Sequence, residues 1–148
     1  MRKIVFLDID GVLNSKETLK RCGGGILGID PYLVSIFNHI ILETDAEIVI
    51  SSSWRHSPRG MEDIKKALVH PILDKTPKCC AGIRGVEIYQ WINKNIDYDK
   101  RDDLKYAILD DDSDMLLWQK DSFFQTTFDK GITKEIVQKV IKHLNATL

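Results

Sequence analysis

The stretch Ile4-Val5-Phe6-Leu7-Asp8-Ile9-Asp10-Gly11 decides the fold. Its apolar run, rich in β-branched residues, stops abruptly at two aspartates and a glycine. That pattern predicts a strand buried on both faces, as in a parallel sheet. Glu47-Ile48-Val49-Ile50 repeats the pattern and stops at Ser51-Ser52-Ser53. Tyr106-Ala107-Ile108-Leu109 repeats it again and stops at Asp110-Asp111-Asp112. Phe123 to Thr127 is a weaker, later candidate.

Helical patterns fill the intervals. Asp30-Pro31 reads as a cap followed by proline at the first helical position, and Leu33, Ile36, Phe37 and Ile40 then share one face. Met61, Ile64 and Leu68 form a shorter stripe, and Ile88, Trp91 and Ile92 mark a helix beginning near Gly85. Ile136, Val137, Val140, Ile141 and Leu144 mark the last, with Thr133 as its cap. Strands alternating with helices imply an α/β fold with a central parallel sheet between helical layers. Ligands in such sheets bind beyond the carboxyl ends of the strands, so the three polar clusters should meet at one edge. Lys16 to Gly28 reads as a flexible loop and Pro71 to Gly82 as an irregular connection. Neither is long enough for a separate cap domain.

The length, 148 residues, fits one domain spanning residues 1–148, since domains commonly hold about 100–200 residues. Hydrophobic residues at 43% can fill a core, and a net charge of −1 gives no global positive field for general nucleic-acid binding. A local basic groove is not excluded by that. The first apolar run is too short for a signal peptide, and no stretch approaches the roughly 20 apolar residues of a membrane span. A soluble, cytoplasmic protein is expected. Cys22, Cys79 and Cys80 are odd in number and lack paired CxxC spacing, which disfavours a disulfide framework or a zinc site.

Several residue groups carry chemistry. Asp8 and Asp10 flank one residue at a strand end, so one carboxylate can attack while its neighbour handles the proton. Asp110-Asp111-Asp112-Ser113-Asp114 crowds four carboxylates into five residues. A divalent cation relieves their repulsion, and magnesium suits such oxygen ligands together with water and phosphate. The plainer reading is a solvated acidic turn ahead of a helix through Leu116 and Leu117. Ser51 can donate its hydroxyl to a phosphate oxygen, with Ser52 and Ser53 close by. Arg84 opens a helix and can pair with phosphate or with the attacking carboxylate. Arg55, His56 and Arg59 follow the serines in a loop that should rim the same edge, and two readings stand side by side: contacts to a phosphorylated substrate beyond its reacting group, or a merely solvated basic loop. Trp54, Trp91 and Trp118 read as packing anchors rather than base-stacking platforms.

Together these residues resemble the four ordered motifs of the haloacid dehalogenase (HAD) superfamily. Asp8-Ile9-Asp10-Gly11-Val12-Leu13 looks like the first motif, Ser51 the second and Arg84 the third. Asp110 fits the fourth, paired with either Asp111 or Asp114. The strings DIDGVLNS, SSSWR, RGVEIYQWI, ILDDDSDM and DKGIT are similar to HAD domains of "Swiss Army Knife" RNA repair proteins, themselves similar to the phosphatase half of polynucleotide kinase-phosphatases. Val12 departs from the threonine frequent in family phosphatases, and no cap domain is evident.

The resemblance implies a three-layer Rossmann-like fold and a magnesium-dependent phosphate-monoester hydrolase. It casts Asp8 as nucleophile and Asp10 as acid/base, with a metal site drawn from Asp8, Asp10 (through its backbone carbonyl), Asp110, and Asp111 or Asp114. Ser51, Ser52, Arg84 and Arg55 are the expected phosphate and substrate contacts, and the substrate is a polynucleotide end or a nucleotide. A nucleotidase or other small-molecule phosphatase is the nearest alternative, with a phosphotransferase or mutase below it. A catalytically silent HAD-like binding module is the alternative from another class.

Overall fold

The computed structural model describes residues 1–21 and 28–147. Five strands form one all-parallel sheet in the order β3-β2-β1-β4-β5. They are β1 (Arg2–Leu7), β2 (Glu47–Ile50), β3 (Ile72–Lys75), β4 (Leu104–Asp110) and β5 (Phe123–Gln125). β1 is central, and Ile4 to Leu7 are fully buried. Alternate side chains of a strand point to opposite faces, and the packing follows that rule. Val5 and Leu7, with Ile48, Ile50 and Leu109, join a core covered by α2 (Pro31–Thr44), α3 (Pro58–Ala67) and α5 (Lys134–Asn145). Ile4 and Phe6, with Val49 and Ile108, face Ile88, Trp91 and Ile92 of α4 (Arg84–Asn95). The result is the expected three-layer α/β arrangement.

The helices start where local chemistry satisfies their first N–H groups. The Asp30 carboxylate accepts from Tyr32 N at 3.0 Å, and Pro31 follows it. Ser57 and Thr133 cap α3 and α5 in the same way. No side chain caps α4 from its own N-cap; the Asp114 carboxylate, thirty residues later, accepts from Arg84 N at 2.8 Å.

Three local expectations differ from the structure. Part of the Lys16–Gly28 loop is helical: α1 covers Lys16–Arg21, and Thr18 Oγ1 and the Arg21 guanidinium both donate to Asp30. Cys22 and the Gly23-Gly24-Gly25 run lie outside the described residues. The Pro71–Gly82 connection contains β3, an edge strand whose side chains are mostly exposed and so lack an apolar run. The turn after Asp114 leads into a 3₁₀ segment, Leu117–Ser122, instead of an α-helix. Among the described residues no insertion builds a cap, and no helix is long and apolar enough to cross a membrane.

Candidate active site

The strand order reverses direction between β1 and β4, which is where an open parallel sheet leaves a crevice. Leu7 lies in register with Leu109, and Asp8 N donates to Leu109 O at 3.0 Å. That pairing sets Asp8, just past the end of β1, beside Asp110, the last residue of β4. Ser51 N donates to Leu7 O at 3.0 Å, bringing the end of β2 to the same place. The three polar clusters therefore converge as the alternation of apolar runs predicts.

Carboxylate oxygens of Asp8, Asp110 and Asp111 all lie within 4.8 Å of one another. Asp8 and Asp110 are buried and Asp111 is half-buried. Burial, then the neighbouring Asp8, pushes the Asp110 carboxyl up to about 8. Burial also raises Asp8, against the pull of the nearby Arg84 guanidinium, and raises Asp111. Three carboxylates this close resist ionising together unless a cation joins them.

Among the described residues, four buried side-chain polar atoms lack a hydrogen-bond partner, and three of them are here: Asp110 Oδ2, Ser51 Oγ and Arg84 Nη1. Buried polar groups are ordinarily satisfied, so such a concentration marks a place prepared for something else. The orphaned acceptor belongs to the acidic cluster and fits a hard divalent cation. The two orphaned donors suit an anion. Arg84 Nε is 3.6 Å from Asp110 Oδ2, close enough to attract it but beyond a hydrogen bond.

Other expected site residues are placed differently. The Asp10 carboxylate is not in the three-carboxylate cluster; its Oδ1 accepts from Asn14 Nδ2 at 2.9 Å and Trp54 Nε1 at 3.1 Å. Asp114 is absent from that cluster too, because its carboxylate is spent capping α4. Ser52 is buried, and its hydroxyl caps the 3₁₀ turn Ser53–His56 by accepting from Trp54 N at 3.2 Å. Arg55 departs most from the expectation of a substrate contact. Its guanidinium is buried and donates to Thr76 O, Ser51 O, Ser52 O, Pro77 O and the Glu87 carboxylate, the last at 2.7 Å. Those bonds use all five of its N–H donors. His56 is exposed beside a neighbouring cleft of about 650 Å³ between α3 and β3.

Sequence reading missed Asn14, Glu87 and the polar use of Trp54. Asn14 is buried, accepts from Gly11 N at 2.9 Å and donates to Gly28 O at 3.0 Å besides holding Asp10. Its only signal was its place three residues after the glycine of the first motif. Glu87 could have been suspected as an acidic residue within the apolar stripe of α4, where a buried carboxylate needs a cationic partner.

A parallel α/β sheet with this acidic cluster at its switch point defines a HAD-like domain. The chain belongs to the family described as the HAD domain in Swiss Army Knife RNA repair proteins, whose sequence profile matches residues 4–137. The matched span includes every residue of the site from Asp8 to Asp114. No curated protein and no solved structure matches the chain.

Proposed function

We propose that this chain is a magnesium-dependent phosphate-monoesterase that removes phosphate from a polynucleotide end through an aspartyl-phosphate on Asp8. The observation that carries this reading is the meeting of a three-carboxylate cluster with two buried, unpartnered donors, Ser51 Oγ and Arg84 Nη1. Asp8, Asp110 and Asp111 would hold the ion, and Asp114 would not, since it caps α4. When bound, magnesium neutralises the charge of the cluster and of the phosphoryl group.

A carboxylate oxygen of Asp8 attacks phosphorus, and the bond from phosphorus to the ester oxygen breaks with its electron pair leaving on that oxygen. Asp10 gives that oxygen a proton. Asp10 then takes a proton from water, whose oxygen attacks the phosphorus of the aspartyl-phosphate. The acyl-phosphate bond breaks, restoring Asp8 and freeing inorganic phosphate. Ser51 Oγ and Arg84 Nη1 hold phosphoryl oxygens throughout. Arg55 supports this frame from beneath, tying the carbonyls of Ser51 and Ser52 to α4 through Glu87.

The family's link to RNA repair proteins and the lack of a cap over the described site both favour a large substrate. Cys79 and Cys80, both free, suit a reducing cytoplasmic compartment. The test is a panel of 3′- and 5′-phosphorylated oligoribonucleotides, mononucleotides and sugar phosphates, assayed with magnesium. We expect at least tenfold higher kcat/KM on one oligonucleotide end than on any mononucleotide. Equal or better turnover of free mononucleotides would favour a nucleotidase. No turnover of any ester would favour a silent binding module.

A further inference from the structure

We infer that Trp54 is a positioning residue for the proton-transfer step, fixing through its indole N–H the orientation of the Asp10 carboxyl group. The inference rests on the acid/base role given to Asp10 above and adds a residue to it.

Two N–H donors converge on one atom. Asn14 Nδ2 and Trp54 Nε1 reach Asp10 Oδ1 from separate parts of the chain, four and forty-four residues away. An oxygen already accepting two N–H bonds is the poorer place for a hydroxyl hydrogen, which would point into the same donors. Of the two carboxyl oxygens, Oδ2 is therefore the one these donors leave free for the reacting group.

The donors themselves are held firmly. Asn14 is anchored by accepting from Gly11 N and donating to Gly28 O, which also fixes which of its side-chain atoms is nitrogen. Trp54 lies in the Ser53–His56 turn, capped at its start by Ser52 and braced beneath by the buried Arg55–Glu87 pair. Its ring packs against the larger core. The indole thus comes from a rigid support, and the carboxylate cannot swing freely about its own side-chain torsion. The turn that follows Ser51, whose hydroxyl is proposed to donate to a phosphoryl oxygen, also aims the acid. Both depend on the one run Ser51-Ser52-Ser53-Trp54-Arg55.

The test is leaving-group selectivity in Trp54→Phe, which keeps the aromatic packing and deletes the N–H. An alkyl phosphate needs its oxygen protonated as it leaves, whereas p-nitrophenolate departs with little help. Because kcat/KM reports only steps up to loss of the leaving group, it isolates the acid role from later hydrolysis. We expect the ratio of kcat/KM for the alkyl ester to that for p-nitrophenyl phosphate to fall roughly tenfold, a part of the 10²–10⁴-fold typical of general acid catalysis as a whole. In an Asp10→Asn background the same Trp54 change should have no further effect on that ratio, since the two residues act as one unit. An unchanged ratio, or an equal effect with and without Asp10, would overturn the inference and leave the proposed function standing. A parent protein that hydrolyses neither ester would remove both.

Discussion

Gly11 and Asp111 occupy adjoining space at the sheet edge: Gly11 has φ of +78°, and a Cβ added to it would overlap the Asp111 carboxylate and fall 2.7 Å from Asp111 Cβ. The glycine of the first motif thus makes room for the third carboxylate of the cluster while turning the chain as L side chains rarely do.

Gly11→Ala should therefore damage the site twice. It strains the backbone by about 1–3 kcal/mol and pushes Asp111 from Asp8 and Asp110. We expect lower thermal stability together with weaker magnesium binding in calorimetric titration. Stability loss with unchanged magnesium affinity would separate Gly11 from the cluster.

Ser51→Ala should show the opposite balance. Its hydroxyl is buried without a partner, so removing it relieves an unsatisfied group, and stability should hold or rise by up to about 1 kcal/mol. Activity should fall roughly 10²-fold, as for other lost donors to a transferring group. Equal folding and full activity would deny Ser51 any phosphate contact.

Glu87→Ala leaves the Arg55 guanidinium buried without its counter-charge. Breaking such a pair costs about 3–5 kcal/mol. Urea unfolding checks this. A stable variant with only a raised KM would mean that Arg55 meets substrate after all.

The pH dependence of the metal-free protein follows from Asp110. Its folded pKa is raised to about 8 from an ordinary 3.8, so between those values the native state holds a proton that the unfolded chain has released. Stability in EDTA should fall as pH rises from 6 to 8, and flatten above. Asp110→Asn should abolish that slope, and saturating magnesium should raise the melting temperature most at the alkaline end. Metal-free stability climbing across the same window would contradict the burial of a protonated Asp110.

The legible parts of this protein are those where burial on two faces leaves an unbroken apolar signature. β1, β2 and β4 were readable because no residue from Ile4 to Leu7, Ile48 to Ile50 or Ala107 to Leu109 faces water. The polar residues ending those strands then had to meet at one edge, and they do. β3 was hidden because an edge strand with exposed Leu73, Asp74 and Lys75 shows no such run. The choice between Asp111 and Asp114 depended on a turn whose path is set by contact with α4, thirty residues earlier in the chain. Trp54 packs against the core as expected, but its polar contact and the buried setting of Arg55 were not legible, for a related reason. Their directions are fixed by Glu87 and Asp10, far away in sequence, and no local pattern carries that information.

The most direct measurement is magnesium-dependent hydrolysis of p-nitrophenyl phosphate by the parent protein and by Asp8→Asn. An amide at position 8 keeps the shape of the side chain but cannot attack phosphorus. We expect turnover by the parent and its near-complete loss in the variant, with the folded structure retained by circular dichroism. Hydrolysis by Asp8→Asn at close to the parent rate would contradict the nucleophile role of Asp8.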